Sequence, residues 1–128
     1  MRVKNFNLTV GAQIFKACSE EARIRILNLI IFQNEMCISD LEQVLNYTQT
    51  KTSRHISYLK NSGLLKTRKQ DQWVWYSVKD EMKDILIQMF EFLEKDHSLK
   101  EDVETLKTLF SNRELAINKT DAEVWRKK

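Results

Sequence analysis

A mainly α-helical fold carrying one small β-hairpin is what this sequence predicts, on three observations. Glycine occurs twice and proline never in 128 residues, so little punctuates the chain and helices should dominate. Residues 48–64 read as a helix with a stop signal at each end. Residues 73–78, Trp-Val-Trp-Tyr-Ser-Val, are aromatic and β-branched and favour a strand.

Taken in order, apolar spacing predicts a first helix over Leu8–Ala17. Ser19 is expected to cap a second, with Glu20 and Glu21 favourably placed at the positive end of its dipole. That helix should run to about Phe32 and bury Ile24, Leu27, Ile30 and Ile31. Ser39 and Glu42 have the spacing of a capping box and open a short helix that buries Leu41, Val44 and Leu45. Only Asn46 and Tyr47 separate it from Thr48, the expected cap of the next helix. Gly63 stands where a left-handed C-terminal cap is needed, with Leu64 placed for the accompanying apolar contact. Inside this helix Thr52, Ile56 and Leu59 make an apolar stripe, and Thr50, Ser53, Arg54, Ser57 and Asn61 lie opposite. A short helix, a tight turn and a second helix with a polar outer face form a helix-turn-helix. Leu65–Lys69 then pairs with the 73–78 strand as a hairpin, with Lys66, Arg68 and Lys69 on or near its tip. Its turn lacks glycine, so the usual signals do not assign its type. A basic hairpin after such a helix is a wing. A long helix from about Asp80 to His97 should follow, and one or two more that take in Val103, Leu106, Leu109 and Phe110.

Charge gives this layout a function. From Gln43 to Gln70 there are six Lys/Arg and no Asp or Glu, whereas residues 79–104 hold nine acids against four bases. A basic segment around a polar-faced helix suits a polyanion. The expected DNA contacts are Gln49, Thr50, Lys51, Ser53, Arg54, His55, Ser57 and Lys60, with Arg68 and Lys69 from the wing. Arg54 is the candidate for reading a guanine. The partner is then double-stranded DNA with a palindromic operator. The reading from another class is a winged-helix module that binds protein through the same helix, which steep salt dependence would exclude. No nucleophile motif, phosphate-binding glycine loop or metal-hydrolase spacing occurs, so no enzyme activity is expected. Without a signal peptide or an apolar run near eighteen residues, the expectation is a cytoplasmic chain with no membrane partner. Two cysteines make no disulfide framework, in keeping with a reducing compartment.

Eight of the twelve residues from Met82 to Leu93 are apolar, more than one buried stripe requires. A second copy of the chain is the expected cover, with Ile85, Met89 and Phe92 at the interface. The alternative is that residues 100–128 fold back over that face. Residues 1–98 thus form the expected winged helix-turn-helix DNA-binding and dimerisation domain, and residues 99–128 a helical extension.

Residues 12–78 resemble the ArsR/SmtB family of bacterial winged-helix repressors. The resemblance lies in Ala12–Leu27, Met36-Cys-Ile-Ser-Asp-Leu41, Thr50-Lys-Thr-Ser-Arg-His-Ile-Ser-Tyr-Leu59, Asn61-Ser-Gly-Leu-Leu65 and Trp73-Val-Trp-Tyr76. It implies a homodimeric repressor, dimerising through terminal helices, that leaves its operator when an inducer, often a metal or metalloid ion, binds. His55 lies on the flank of the recognition helix, between its buried and exposed faces, and as a family match would brace the helix or touch a phosphate. The arsenic-sensing branch has a Cys-Val-Cys-Asp-type motif where this chain has Cys37-Ile38-Ser39-Asp40, so one thiolate of the pair is replaced and the usual ligand set is incomplete. Cys18 reads as a small buried hydrophobe. His97, with Asp96 and Glu101 nearby, is the only histidine available to the other common site. The metal ligands and the cofactor therefore stay unassigned. If the chain senses a soft metalloid or an oxidant, Cys37 is the residue to do so, since a helix N-terminus lowers a thiol pKa.

Overall fold

The computed structural model describes residues 6–120. Its elements are α1 (Leu8–Ala17), α2 (Glu21–Gln33), α3 (Ile38–Leu45), α4 (Gln49–Asn61), β1 (Leu65–Gln70), β2 (Trp73–Val78), α5 (Asp80–Phe90) and α6 (His97–Ser111). Short 3-10 turns over Glu91–Leu93 and Ala116–Lys119 complete it.

Helix α2 is the central post. Ile26, Leu27, Leu29 and Ile30 have no exposed surface, and α4, α5, α6 and β2 pack round it. The expected stripe is rotated: Ile24 and Ile31 are only half-buried, at the edges facing α5 and α6. Ser19 is not the cap of this helix. Its hydroxyl donates to Lys16 O at 2.7 Å and closes α1, and Glu20 takes the cap position without a side-chain bond.

The helix-turn-helix forms with one local change. Cys37 rather than Ser39 is the cap residue of α3, so the capping box does not form, and Ser39 Oγ sits 3.3 Å from Cys37 Sγ instead. Leu41, Val44 and Leu45 are buried, and Asn46 ends the helix in the left-handed region at φ 58°. Both ends of α4 follow their sequence signals. Thr48 Oγ1 accepts the Lys51 N–H at 3.1 Å, and Leu64 N–H closes on Leu59 O at 3.2 Å past Gly63, whose φ is +85°.

The two strands run antiparallel from Leu65↔Val78 to Gln70↔Trp73, leaving Asp71 and Gln72 as the turn. Asp71 adopts φ 56°, a conformation its short polar side chain tolerates, and so replaces the missing glycine. Met36 exchanges both backbone hydrogen bonds with Tyr76, at 3.0 and 2.9 Å, on the outer side of β2. The wing is thereby stitched to the entrance of α3, and Trp75 beneath it is fully buried.

One expectation about the C-terminal third is corrected. The helix expected over Asp80–His97 ends at Phe90, and a new one starts at His97 where Asp96 accepts the Leu99 N–H at 3.0 Å. An N-cap set beside the turn at Glu91–Leu93 satisfies the new helix and lets the chain change direction. Leu106, Leu115, Ala116 and Ile117 join the same core as α2 and α3, so residues 97–119 form an arm packed on the helix-turn-helix.

Candidate nucleic-acid interface

Thr52, Ile56 and Leu59 face inward and fix α4 on the core, which turns the opposite face to solvent. Gln49, Thr50, Arg54, Ser57 and Lys60 are exposed there, and Lys51 and Ser53 are half-buried at its edge. The Lys51 ammonium lies 4.0 Å above the Tyr47 ring. Among the expected contacts, His55 does not share this face. It is 4% exposed, with Nε2 4.0 Å from Glu20 Oε1, in the position of a brace. Burial and the neighbouring Arg54 charge hold its pKa below the ordinary histidine value.

The wing separates its two bases. Lys69 is exposed, but Arg68 makes a fork on the Glu35 carboxylate at 2.9 and 3.0 Å and also donates to Gln70 at 2.8 Å. Its guanidinium ties the hairpin to the segment between α2 and α3. Lys66 lies 3.6 Å from Asp80.

Sequence reading missed the groups that set the recognition helix from behind. The Arg25 guanidinium grips Asp102 of α6 at 2.8 and 2.7 Å and donates to Tyr47 Oη at 3.3 Å. Asp102 is 4% exposed, and its carboxylate raises the Arg25 pKa. Asp40, in the first turn of α3, is 1% exposed and accepts the Ala116 and Ile117 N–H groups at 2.6 and 3.3 Å. Burial nevertheless pushes its carboxyl above the usual range. Each pair joins residues more than seventy positions apart, so no local spacing could signal it.

The expected sensor, Cys37, is buried within the core and not open at the helix end. Cys37 is 3% exposed, and burial together with the Asp40 charge pushes its pKa to about 11, against the lowering expected from the helix end. A dipole effect of at most about one or two kcal/mol does not offset desolvation of a thiolate. Burial likewise pushes the Cys18 thiol to about 11, in keeping with a small hydrophobe. His97 is exposed and pairs with Glu101 at 3.9 Å, while Asp96 is engaged as the α6 cap. No group of three His, Cys, Asp or Glu side chains among the described residues is arranged to hold a metal ion.

The remaining expected residues lie on α5 and just beyond it. Ile85 and Met89 are half-buried, and Phe92 is 83% exposed beside Ile87 at 46%. The arm packs on α2 and α3, and its Leu99 and Val103 line a cavity with Ile87 and Phe90 that leaves Phe92 exposed.

The match to known proteins centres on the helix-turn-helix. The family described as "Bacterial regulatory protein, arsR family" matches residues 20–67. The chain is 37% identical over 78 residues to the arsenic resistance transcriptional regulator ArsR2 of Pseudomonas putida, covering 61% of this chain and 68% of that one. This chain belongs to the ArsR family. It is a winged helix-turn-helix DNA-binding transcription regulator. The arsenical resistance operon repressor of Escherichia coli is 44% identical over 64 residues, and this ArsR-family chain spans about half of it, 55%. Among solved structures, HlyU from Vibrio cholerae superposes with a TM-score of 0.62 at 28% identity. That comparison uses 96% of HlyU but 69% of the present chain, so nearly a third of the ArsR-family chain here lies outside the shared fold. No described helix is long and apolar enough to cross a membrane.

Proposed function

We propose that the chain is a dimeric, sequence-specific repressor acting in the cytoplasm on a palindromic operator. The observation that carries this reading is the exposed polar face of α4, fixed at both ends and free of acids from Gln43 to Gln70. In the dimer the two α4 helices enter successive major grooves about 34 Å apart, and Gln49, Thr50, Ser53 and Ser57 lie where base edges are read. Lys51, Lys60 and Lys69 are the phosphate contacts, and Arg68 acts by holding the wing in place through Glu35. The two-fold contact forms on the open end of α5, around Met89 and Phe92 with Ile85 behind them. Release by an inducer follows the relatives, which are named for resistance to arsenic and cadmium.

Two measurements test the reading. Affinity for a palindromic operator should exceed that for random duplex by at least about a thousandfold, with a steep inverse salt dependence. Equal affinity for both would overturn sequence-specific repression. Arsenite, Zn²⁺ and peroxide, titrated against bound operator with the unmodified chain and Cys37→Ser, test Cys37 as the sensor. Equal release from both proteins, or release from neither, removes Cys37 from that role.

A further inference from the structure

The turn between α1 and α2 meets the recognition helix around an open cavity of about 380 Å³. Its floor is the Arg23 guanidinium, 5% exposed and immobilised from several sides. Nε and Nη2 donate to the Ala17 and Lys16 carbonyls at 2.7 and 3.0 Å, which satisfies the open C-terminal end of α1. The Tyr58 ring lies under the same guanidinium at 4.0 Å. Lys16 and Arg54, both exposed, line the cavity above this floor, and Ser19 and Tyr58 add hydroxyls. Three permanent cations thus surround one space. Among the described residues the only acid lining it is Glu20, whose carboxylate lies 3.3 Å from Arg23 Nη1 and 4.0 Å from His55 Nε2.

A fixed, buried guanidinium beside two exposed cations suits an anion, and the half-exposed Glu20 carboxylate is paired with it. Arg54 projects from the helix that enters the groove, so the anion that reaches this cavity during DNA binding is a phosphate flanking that groove.

We propose that the cavity seats one backbone phosphodiester of the duplex, gripped by Lys16 and Arg54 above Arg23, and that the phosphate displaces the carboxylate of Glu20. This rests on the DNA-binding reading above and reassigns Arg54 from base reader to phosphate clamp. Lys16 and Ser19 lie outside the helix-turn-helix, so the interface extends to the α1–α2 turn. Glu20 acts as a competitor for the phosphate, and removing its charge strengthens DNA binding.

The test is fluorescence anisotropy with labelled operator and random duplex over a series of salt concentrations. Lys16→Gln and Arg54→Gln should weaken both duplexes by the same factor, and each should lower the salt slope by about one unit. Glu20→Gln should tighten both duplexes. A Lys16→Gln slope equal to that of the unmodified chain overturns the proposal, as does an Arg54→Gln loss confined to the operator, which would make Arg54 a base reader. Weaker binding by Glu20→Gln also overturns it, by making Glu20 a support for Arg23. In a further arm, inorganic phosphate is added to the DNA-free protein at constant ionic strength. A shift of the His55 resonance there, with the Lys16→Gln slope unchanged, identifies a site for free anions and overturns the duplex assignment. If the unmodified chain binds no duplex, both this proposal and the repressor reading fall. Normal duplex binding with an unaltered Lys16→Gln slope removes the cavity alone.

Discussion

His55 sits in the second half of the α4 core stripe, between the carboxylate of Glu20 and the charges of Arg54, Arg23 and Lys51. Burial and Arg54 together lower its pKa, so the native imidazole stays neutral at a pH where the unfolded chain already binds a proton. The unfolded state then holds more protons, and stability falls as pH drops from about 6.5 through the native pKa. Urea unfolding at pH 7.5, 6.5 and 5.5 should show a smaller loss for His55→Gln than for the unmodified chain. An identical loss in both would exclude His55 as its source. The sequence placed His55 between the two faces of the helix, because spacing locates a side chain on a wheel but not the depth of its neighbours. Cys37 shows the same limit. Its place at a helix start was legible, but the Asp40 carboxyl and the packing that raise its pKa were not. Arg68 was legible as a wing base, whereas its bidentate hold on Glu35 depended on how the hairpin folds against the α2–α3 segment.

Most elements could be read because their signals are local. The Thr48 cap and Gly63 gave both ends of α4, and the run of aromatic and β-branched residues gave β2. The break between α5 and α6 was not legible. Asp96 caps α6 without the Glu or Gln three residues later that completes a capping box, since Leu99 stands there. The arm that follows is held by long-range polar pairs. Asp102→Ala strips the Arg25 guanidinium of its carboxylate partner, and Arg25 is 30% exposed along its side chain. The expected loss is about 2 kcal/mol, below the ~3–5 kcal/mol of a fully buried pair because water reaches the guanidinium. A lower denaturation midpoint at unchanged m-value checks it. Asp40→Asn tests the second anchor in the opposite pH sense. The native Asp40 carboxyl takes up a proton at higher pH than in the unfolded chain, so this group adds stability as pH falls through its native pKa. In Asp40→Asn that contribution should vanish from the unfolding free energy measured from pH 7 to pH 4.

On the scale of the molecule, charge and apolar surface are segregated. The basic stretch lies on the recognition helix and wing, and the acidic stretch runs along α5 and α6. Phe92 and Ile87 stay exposed at the acidic end, although Leu99 and Val103 of the arm line a cavity with Ile87 and Phe90. The sequence showed that α5 carries too much apolar surface for one partner, and it offered either a second copy or the returning tail as cover. The described part of the tail leaves Phe92 uncovered. Phe92→Glu should give a monomer in sedimentation at micromolar concentration, while Met89→Glu should do so with some loss of stability because Met89 is half-buried. Phe92→Glu should leave the melting temperature of the single fold nearly unchanged, because the ring is 83% exposed there. A dimer that survives both changes places the two-fold contact elsewhere.

The two anchors of the arm also impose an order of events on a growing chain. Asp40 meets Ala116, and Arg25 meets Asp102, across separations of 76 and 77 residues. At about 5–20 residues per second, the helix-turn-helix waits roughly 4–15 seconds between synthesis of Asp40 and arrival of its partner. During that interval Asp40 is solvated rather than buried and Arg25 lacks its carboxylate partner, and closing a loop of this length slows their docking further. The recognition helix is made early and secured late. Refolding of the full chain should therefore show helix formation, followed by circular dichroism, before the fluorescence change that reports docking of the arm behind α3.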